Sequence, residues 1–374
     1  MDILPKNVNM VPGPTELSTN VLNKLNKQIV PHYGDDWLKT YRNSKKQLKK
    51  IYKTKNEIFI FAGSGTLAME SAISSTLNAK DEVLICHNGF WGERLYEICK
   101  SWKLKINLIK NEFNKPIVPA EVEKKLKANK NIKLVLVVHV ETSTGLSNPI
   151  KEISKISNEN NSLIFVDSIA GLGGTEVKTD AWNIDFMITS SQKCLAAPAG
   201  LGIMSVSSRA LKIIKDKNIK NQFGWSLSIN NLIEYQKKWK GWHPHGPTTA
   251  PVSIYLALNV SIDNILNEGL NNVFKRHIEI KKIIRNSISN LGLELFIKEE
   301  HFAANTLSTF LLPDKIDANK FIKDIKKNYS ITLSGDLGYV NKQLIRIGHM
   351  GNQATMLHAK RTIVAIKKTL MIHL

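Results

Sequence analysis

The feature that most constrains the fold is an alternation of short apolar runs with amphipathic helical patterns through the first two thirds of the sequence. Runs such as KLVLVVHV are apolar at nearly every position, which is typical of strands buried on both faces. This alternation predicts an α/β layered domain whose parallel or mixed sheet is covered by helices. The predicted strands are 57–63, 82–87, 133–140, 162–167, 186–191 and 202–207, and the helices between them are 67–79, 92–103, 119–129 and 150–159.

The last third of the sequence follows a different pattern. Two helical stretches, 252–268 and 272–291, precede short strand and helix patterns beyond about residue 292. A length of 374 residues also exceeds what one ordinary hydrophobic core supports. We therefore predict an N-terminal arm over residues 1–20, a large domain over 21–260 and a smaller α+β domain over 261–374.

Composition narrows the possible classes of protein. A net charge of +20 suggests nucleic-acid binding, but the lysines are spread along most of the chain and form no stripe with aromatic residues. No apolar run approaches the roughly 20 residues that span a membrane, and the N-terminus is too polar for a signal peptide. The three cysteines form no CxxC pair and no metal-binding spacing. We expect a cytoplasmic protein that binds no nucleic acid, membrane or metal.

Gly63-Ser64-Gly65-Thr66 follows a predicted strand and opens a predicted helix. Glycines let the backbone approach a ligand closely, and the free N–H groups of a helix N-terminus bind anions. The hydroxyls of Ser64 and Thr66 add further donors. The same tetrapeptide could also be a plain helix cap.

Two charged residues follow predicted buried strands. Asp167 ends the strand SLIFVD, where α/β sheets bind ligands, although it could equally cap a helix or form an ion pair. Lys193, in Ser191-Gln192-Lys193, comes shortly after FMITSS. A desolvated lysine amine can attack an aldehyde, but an exposed loop lysine is the commoner case in so lysine-rich a chain.

Two further residues are candidates for contacts with a ligand. Trp91 lies in the Gly-flanked segment NGFWG and could stack on a flat ligand or simply pack in the core. Arg346 lies between apolar residues in LIRIG, and its planar fork fits a carboxylate. A structural salt bridge is the alternative for Arg346.

In their order and spacing these motifs resemble the class V group of pyridoxal-phosphate-dependent transferases of fold type I. The similarity begins at VPGPT and continues through GSGT, NGFWGER, HVETSTG, VDSIAGLGG, SQKCLAAPAG and RIGHMG. It is strongest toward alanine–glyoxylate, serine–glyoxylate and serine–pyruvate aminotransferases. This resemblance implies a large domain with a mostly parallel seven-stranded sheet, plus a smaller C-terminal α+β domain.

The resemblance also implies a role for each motif residue around pyridoxal 5′-phosphate (PLP). Lys193 would form a Schiff base with the cofactor and Asp167 would contact its pyridine nitrogen. Arg346 would hold the carboxylate of the substrate. The remaining cofactor contacts would come from Ser64, Gly65, Thr66 and Gln192 at the phosphate, Trp91 on the ring and Thr142 near the phenolic oxygen.

Members of this group share the phosphate site between two subunits, which implies a homodimer. Thr249, in WHPHGPTT, matches the threonine that the neighbouring subunit supplies, whereas the usual aromatic partner has no clear counterpart. The N-terminal substrate loop also departs from the pattern, because Pro31 stands where a glycine often precedes the histidine. Substrate choice is therefore open.

The implied reaction moves an amino group from a small amino acid, alanine or serine, to glyoxylate or pyruvate by a ping-pong mechanism. Transfer from 2-aminoethylphosphonate to pyruvate or from ureidoglycine to glyoxylate is an alternative. Cysteine desulfurases share the fold but usually have a histidine directly before the lysine, where this chain has Gln192. They also need a mobile cysteine, and Cys194 directly follows Lys193.

Overall fold

The computed structural model describes residues 7–216, 224–338 and 343–374. The α-helices are α1 Thr19–Leu25, α2 Asp35–Tyr52, α3 Gly65–Thr76, α4 Phe90–Ser101, α5 Pro119–Ala128, α6 Ile150–Glu159, α7 Ser208–Asp216, α8 Ile229–Lys238, α9 Val252–Glu268, α10 Leu270–Asn290, α11 Ala318–Tyr329 and α12 Met356–His373. The strands are β1 Val8–Asn9, β2 Glu57–Ala62, β3 Glu82–His87, β4 Lys105–Lys110, β5 Ile132–Val138, β6 Val140–Glu141, β7 Leu146–Ser147, β8 Leu163–Asp167, β9 Phe186–Ser190, β10 Leu201–Val206, β11 Glu294–Leu295, β12 Leu307–Leu311, β13 Ile331–Thr332, β14 Ser334–Gly335 and β15 Leu344–Gly348.

Within the described residues, seven strands form the large sheet in the order β2-β10-β9-β8-β5-β3-β4. Neighbouring strands are parallel except at β10, which runs antiparallel to both β2 and β9. The predicted mostly parallel sheet is confirmed. Because β3, β5, β8 and β9 run in the same direction, their carboxyl ends meet at one edge of the sheet.

Strand β5 shows why the apolar runs form this layer. Leu134 and Leu136 belong to the hydrophobic core on one side of the sheet, while Val135 and Val137 belong to the core on the other side. Successive side chains of a strand point to opposite faces, so a strand between two helix layers must be apolar at every position. The helices α3 and α4 cover one side, and α2, α6 and α9 contribute to the core on the other.

The strand β4 is the one member of the large sheet that the apolar runs do not predict. Its sequence, KINLIK, begins and ends with lysine, and only Ile109 is buried. The strand lies at the edge of the sheet beside β3. Edge strands are partly open to solvent and carry charges that discourage further pairing, so their apolar pattern is weaker.

The C-terminal third forms a separate antiparallel sheet, in the order β11-β12-β15-β14 among the described residues. Helices α10, α11 and α12 contribute to its own hydrophobic core. The N-terminal strand β1 pairs with β13 and so joins this region. The predicted boundary after residue 260 falls inside α9, and the division into three domains remains a proposal. No helix in the described part of the chain is long and apolar enough to cross a membrane.

Candidate active site

A cavity of about 210 Å³ opens where strands of the large sheet end. Eight of the ten predicted site residues line it. A ninth, Arg346, donates a side-chain hydrogen bond to the backbone carbonyl of Thr142, which is one of those eight. Thr249 lies elsewhere and is exposed within this chain. The eight that line the cavity are Ser64, Gly65, Thr66, Trp91, Thr142, Asp167, Gln192 and Lys193.

Lys193 lies in the turn after β9 and is half-buried. Its Nζ donates a hydrogen bond to the carbonyl oxygen of Pro12. Burial is the main cause that lowers the pKa of Lys193 to about 8; Arg346 contributes to this lowering, while Cys194 and the carboxylate of Asp167 oppose it. Gly13 leaves room for this side chain, because a Cβ at Gly13 would lie 2.6 Å from Nζ. The lysine is therefore partly neutral near physiological pH.

The N-terminal segment is bonded to the turn that carries the lysine. The backbone N–H of Thr15 donates to the carbonyl of Gln192 at 3.0 Å, and its hydroxyl donates to the carbonyl of Lys193 at 3.0 Å. These bonds fix the backbone on both sides of the lysine Cα. The motif VPGPT thus holds the turn that carries Lys193 in position.

Asp167 ends β8 and is 3% exposed. Its Oδ1 accepts a hydrogen bond from the backbone N–H of Ile169 at 2.9 Å. Burial raises the pKa of Asp167 to about 7, and the buried carboxyl of Glu141 adds to the rise. A cation placed beside this carboxyl would favour its charged form.

Ser64 is the N-cap of α3, and its Oγ accepts from the backbone N–H of Leu67 at 3.4 Å. Gly65 and Thr66 form the first turn, whose N–H groups have no partner within the helix. The helix dipole and these donors favour a bound anion at this end of α3. Gln192 and Ser190 also line the cavity, and the side-chain oxygen of Gln192 accepts a hydrogen bond from the hydroxyl of Ser190.

Trp91 and Thr142 contact one another directly. The indole Nε1 of Trp91 donates to Oγ1 of Thr142 at 2.5 Å. Trp91 lies in the first turn of α4, and Thr142 follows β6. The bond fixes the plane of the indole ring where it lines the cavity.

Glu141 is a residue that the sequence analysis missed. It is fully buried, and its carboxylate accepts hydrogen bonds from the backbone N–H groups of Trp91 at 3.0 Å and Gly92 at 3.3 Å, and from the N–H and hydroxyl of Ser143. Burial raises the pKa of Glu141, and these donors oppose the rise. The N-cap of α4, Gly89, has no side chain to bond the helix end. Glu141 therefore caps α4 from a neighbouring segment.

The residue before α4 must be glycine for this cap to form. A Cβ at Gly89 would lie 2.7 Å from Oε2 of Glu141. The available signal was the motif HVETSTG, in which one acidic residue directly follows an otherwise apolar strand. A buried carboxylate needs several donors, and only the folded turn shows where they come from.

Arg346 lies on β15 of the small sheet and is 7% exposed. Its Nε donates to the carbonyl of Gly335 at 2.7 Å, and its Nη1 donates to the carbonyl of Thr142 at 3.0 Å. These two bonds orient the guanidinium and connect the small sheet to the cavity wall.

Arg94 also lines the cavity and was not predicted. It lies one turn after Trp91 on α4, and its guanidinium is 5.6 Å from the centre of the indole ring. In the motif NGFWGER, Arg94 stands three residues after Trp91, a predicted ligand contact, but only the folded helix α4 shows that its side chain faces the cavity.

A family model for class V aminotransferases matches residues 12–337. The chain belongs to the class V aminotransferase family. An uncharacterized aminotransferase of Methanocaldococcus jannaschii is 36% identical over 92% of this chain and 88% of its own length. The serine–glyoxylate aminotransferase of Methylorubrum extorquens is 32% identical over 93% of this chain and 88% of its own length.

The fold is also shared with solved structures. The crystal structure of an alanine–glyoxylate aminotransferase from Nostoc sp. matches with a TM-score of 0.92 and 27% identity, covering 98% of this chain and 96% of that one. The predicted family and fold are thereby confirmed. Class V aminotransferases generally depend on PLP.

Proposed function

We propose that this class V aminotransferase binds PLP and transfers an amino group from a small amino acid, alanine or serine, to glyoxylate or pyruvate. One observation carries the proposal. A lysine whose pKa is lowered to about 8 and a buried carboxyl share one cavity at the carboxyl edge of the large sheet. Perturbed titratable groups that converge in a cavity are typical of catalytic sites.

The donor set of the cavity fits PLP. Asp167 is a buried carboxyl that lacks a cationic hydrogen-bond partner among the described residues, and a protonated pyridine nitrogen would supply one. The N-terminus of α3, with Ser64 and Thr66, suits a phosphate group, and Trp91 offers a flat apolar face. When bound, the cofactor supplies an electron sink that stabilises the charge left on Cα when a substrate loses its α-proton.

Lys193 has two proposed tasks. Its neutral amine is the group that would bond the aldehyde of the cofactor. When its amine is free, Nζ could accept the α-proton of the substrate and return it at a neighbouring position. A pKa of about 8 suits both directions of transfer, because an effective acid–base group titrates near the working pH.

Arg346 is the proposed carboxylate clamp. The carbonyls of Gly335 and Thr142 already fix its guanidinium, so little order is lost when a substrate binds. Fixing the carboxylate determines which bond to Cα faces the acid–base group, and orientation of this kind contributes strongly to rate.

Cysteine desulfurase chemistry fits this chain poorly. Cys86, Cys99 and Cys194 are all buried, and burial raises the pKa of each thiol to about 12. A thiolate nucleophile needs a lowered pKa and access to substrate. The alternatives that keep amino transfer, from 2-aminoethylphosphonate to pyruvate or from ureidoglycine to glyoxylate, differ only in the substrate.

We further propose that the protein is a cytoplasmic homodimer with the phosphate site at the subunit interface. The segment that leads to Thr249 exposes aromatic side chains, with Trp242 49% exposed and in ring contact with Tyr33, itself 46% exposed. Exposed aromatic clusters are typical of interfaces. Three free thiols suit a reducing compartment.

An amino-donor screen tests the proposal. The purified protein with PLP is mixed with alanine, serine, aspartate, 2-aminoethylphosphonate or ureidoglycine, and with glyoxylate or pyruvate as acceptor. Glycine formed from glyoxylate with alanine or serine is the expected result. Transfer from 2-aminoethylphosphonate or ureidoglycine alone would select an alternative, and absence of transfer from every donor would contradict the proposal.

A further inference from the structure

Three histidines outside the cavity converge from two distant parts of the chain. His32 lies in the loop before α2, and His243 and His245 lie between α8 and α9. One ring nitrogen of each histidine lies within 4.8 Å of one ring nitrogen of the other two, and the rings of His243 and His245 are 4.0 Å apart at their centres. We propose that these side chains form a binding site for a divalent transition-metal ion, with Zn²⁺ as the best match.

The hydrogen bonds of His245 determine which of its nitrogens can bind the ion. Its Nε2 lies 2.9 Å from the carbonyl of Thr248, and since a carbonyl only accepts, Nε2 carries the hydrogen. Its Nδ1 therefore presents a lone pair, which now accepts from Nε1 of Trp37 at 2.8 Å. Metal-binding histidines are oriented in the same way, with one N–H held by a backbone carbonyl and the other nitrogen facing the ion.

His243 is prepared in a similar manner. Its Nδ1 faces the hydroxyl of Tyr235 at 3.1 Å, which leaves Nε2 as the metal ligand. His32 is half-buried in its loop and provides both the third nitrogen and a path from solvent. The metal would displace the indole N–H of Trp37 from His245.

The hydrogen bonds also show which form His245 takes. Its Nδ1 accepts from the indole of Trp37 while its Nε2 donates to the carbonyl of Thr248, so the imidazole is neutral. The neutral imidazole is the form that binds a metal.

Three neutral imidazoles suit Zn²⁺, which binds nitrogen at about 2.0–2.1 Å and accepts water as a fourth ligand. A tetrahedral ion of this size brings its ligand nitrogens to about 3.4 Å from one another. The ligand nitrogens must therefore approach one another by up to about 1.4 Å, and the position of His32 in a loop allows this. The ion would fasten the loop before α2 to the segment that carries Thr249.

Zinc titration of the untagged PLP-loaded protein, after chelator treatment, tests the site by calorimetry. We expect one Zn²⁺ per chain, with His32→Ala and His243→Ala each weakening binding at least tenfold. His301 is exposed and outside the cluster, so His301→Ala is the matched control and should leave binding unchanged. Absence of one-to-one binding, or equal binding by the His32→Ala/His243→Ala double variant, would overturn the proposal.

A second variant tests the ligand assignment in the opposite direction. Trp37→Phe keeps an aromatic ring but removes the N–H that occupies Nδ1 of His245. Zinc should then bind several-fold more tightly. Unchanged or weaker binding by a folded Trp37→Phe protein would contradict binding through Nδ1.

Discussion

The carboxyl edge of the large sheet and the segment between α8 and α9 contribute to the proposed site in opposite ways. At this edge, Asp167 ends β8 and Lys193 follows β9, and both line a cavity within one chain. In the other segment, Thr249 does not line that cavity and is exposed. Parallel strands gather side chains at one edge within a single chain, whereas we propose that Thr249, on a long connection, reaches a site only in a second subunit.

The largest effect is expected from Lys193, at the carboxyl edge of the large sheet. Lys193→Ala removes the amine that bonds the cofactor and moves the α-proton, so single-turnover amino transfer should fall by about 10³-fold or more. Lys212→Ala, at an exposed position of α7, is the control and should retain full activity. Equal rates for the two variants would remove Lys193 from the mechanism.

The next effect concerns Asp167. Asp167→Asn keeps the shape but cannot offset a positive charge, so the rate of amino transfer should fall on the order of 10²-fold. Steady-state kinetics at saturating PLP measure the loss. An unchanged kcat would show that the carboxylate does not tune the cofactor.

Asp167 also predicts a pH dependence of stability in the cofactor-free protein. Its folded pKa of about 7 lies above the ordinary value of 3.8, so the folded chain binds more protons than the unfolded chain between these values. This carboxyl therefore makes the protein less stable as pH rises from about 4 to about 7. Between about pH 4 and 7, the denaturant midpoint of Asp167→Asn should fall less steeply with pH than that of the unchanged protein. Identical slopes for the two proteins would contradict a raised pKa at Asp167.

Arg346 approaches the carboxyl edge from the small sheet, where its Nη1 donates to the carbonyl of Thr142 in the cavity wall. Arg346→Lys cannot keep both carbonyl bonds and also grip a carboxylate, so kcat/KM for amino acids should fall about 10–100-fold. An amine substrate without a carboxylate should be affected much less. A kcat/KM for alanine or serine equal to that of the unchanged protein would place Arg346 outside the substrate site.

A smaller effect is expected from the cap of α4. Gly89→Ala pushes a methyl group against Glu141 and should weaken the contact that holds Trp91, with about 1 kcal/mol of lost stability. Gly241→Ala, where nothing lies within 4 Å, is the matched control. The unfolding temperature and the affinity for PLP should both fall in Gly89→Ala and stay unchanged in Gly241→Ala. Equal losses in the two variants would show that Glu141 does not cap α4.

The smallest effect tests the second region. In the proposed homodimer, Thr249→Ala should weaken PLP binding a few-fold through the loss of one hydrogen bond between subunits, without changing the stability of the isolated chain. Thr248→Ala removes an exposed neighbour and keeps the backbone carbonyl that His245 uses, so it serves as the control. Equal PLP affinity in both variants would mean that Thr249 does not reach a phosphate.

The sequence predicted those features that depend on strand geometry. Runs such as SLIFVD could be read as buried strands, and parallel strands such as β8 and β9 end at the edge where the cavity lies. Glu141 could not be predicted with the same reasoning, because its partners are backbone N–H groups that a folded helix brings to it. The edge strand β4 was missed because solvent allows lysines there, and the histidine cluster because its members are far apart in the chain.

The proposed function depends on a covalent bond between PLP and Lys193. Borohydride reduction of the PLP-loaded protein, followed by proteolysis and mass spectrometry, detects this bond. We expect a pyridoxyl group fixed on the peptide that contains Lys193. A protein that binds PLP but yields the group on another lysine, or on none, would overturn the assignment.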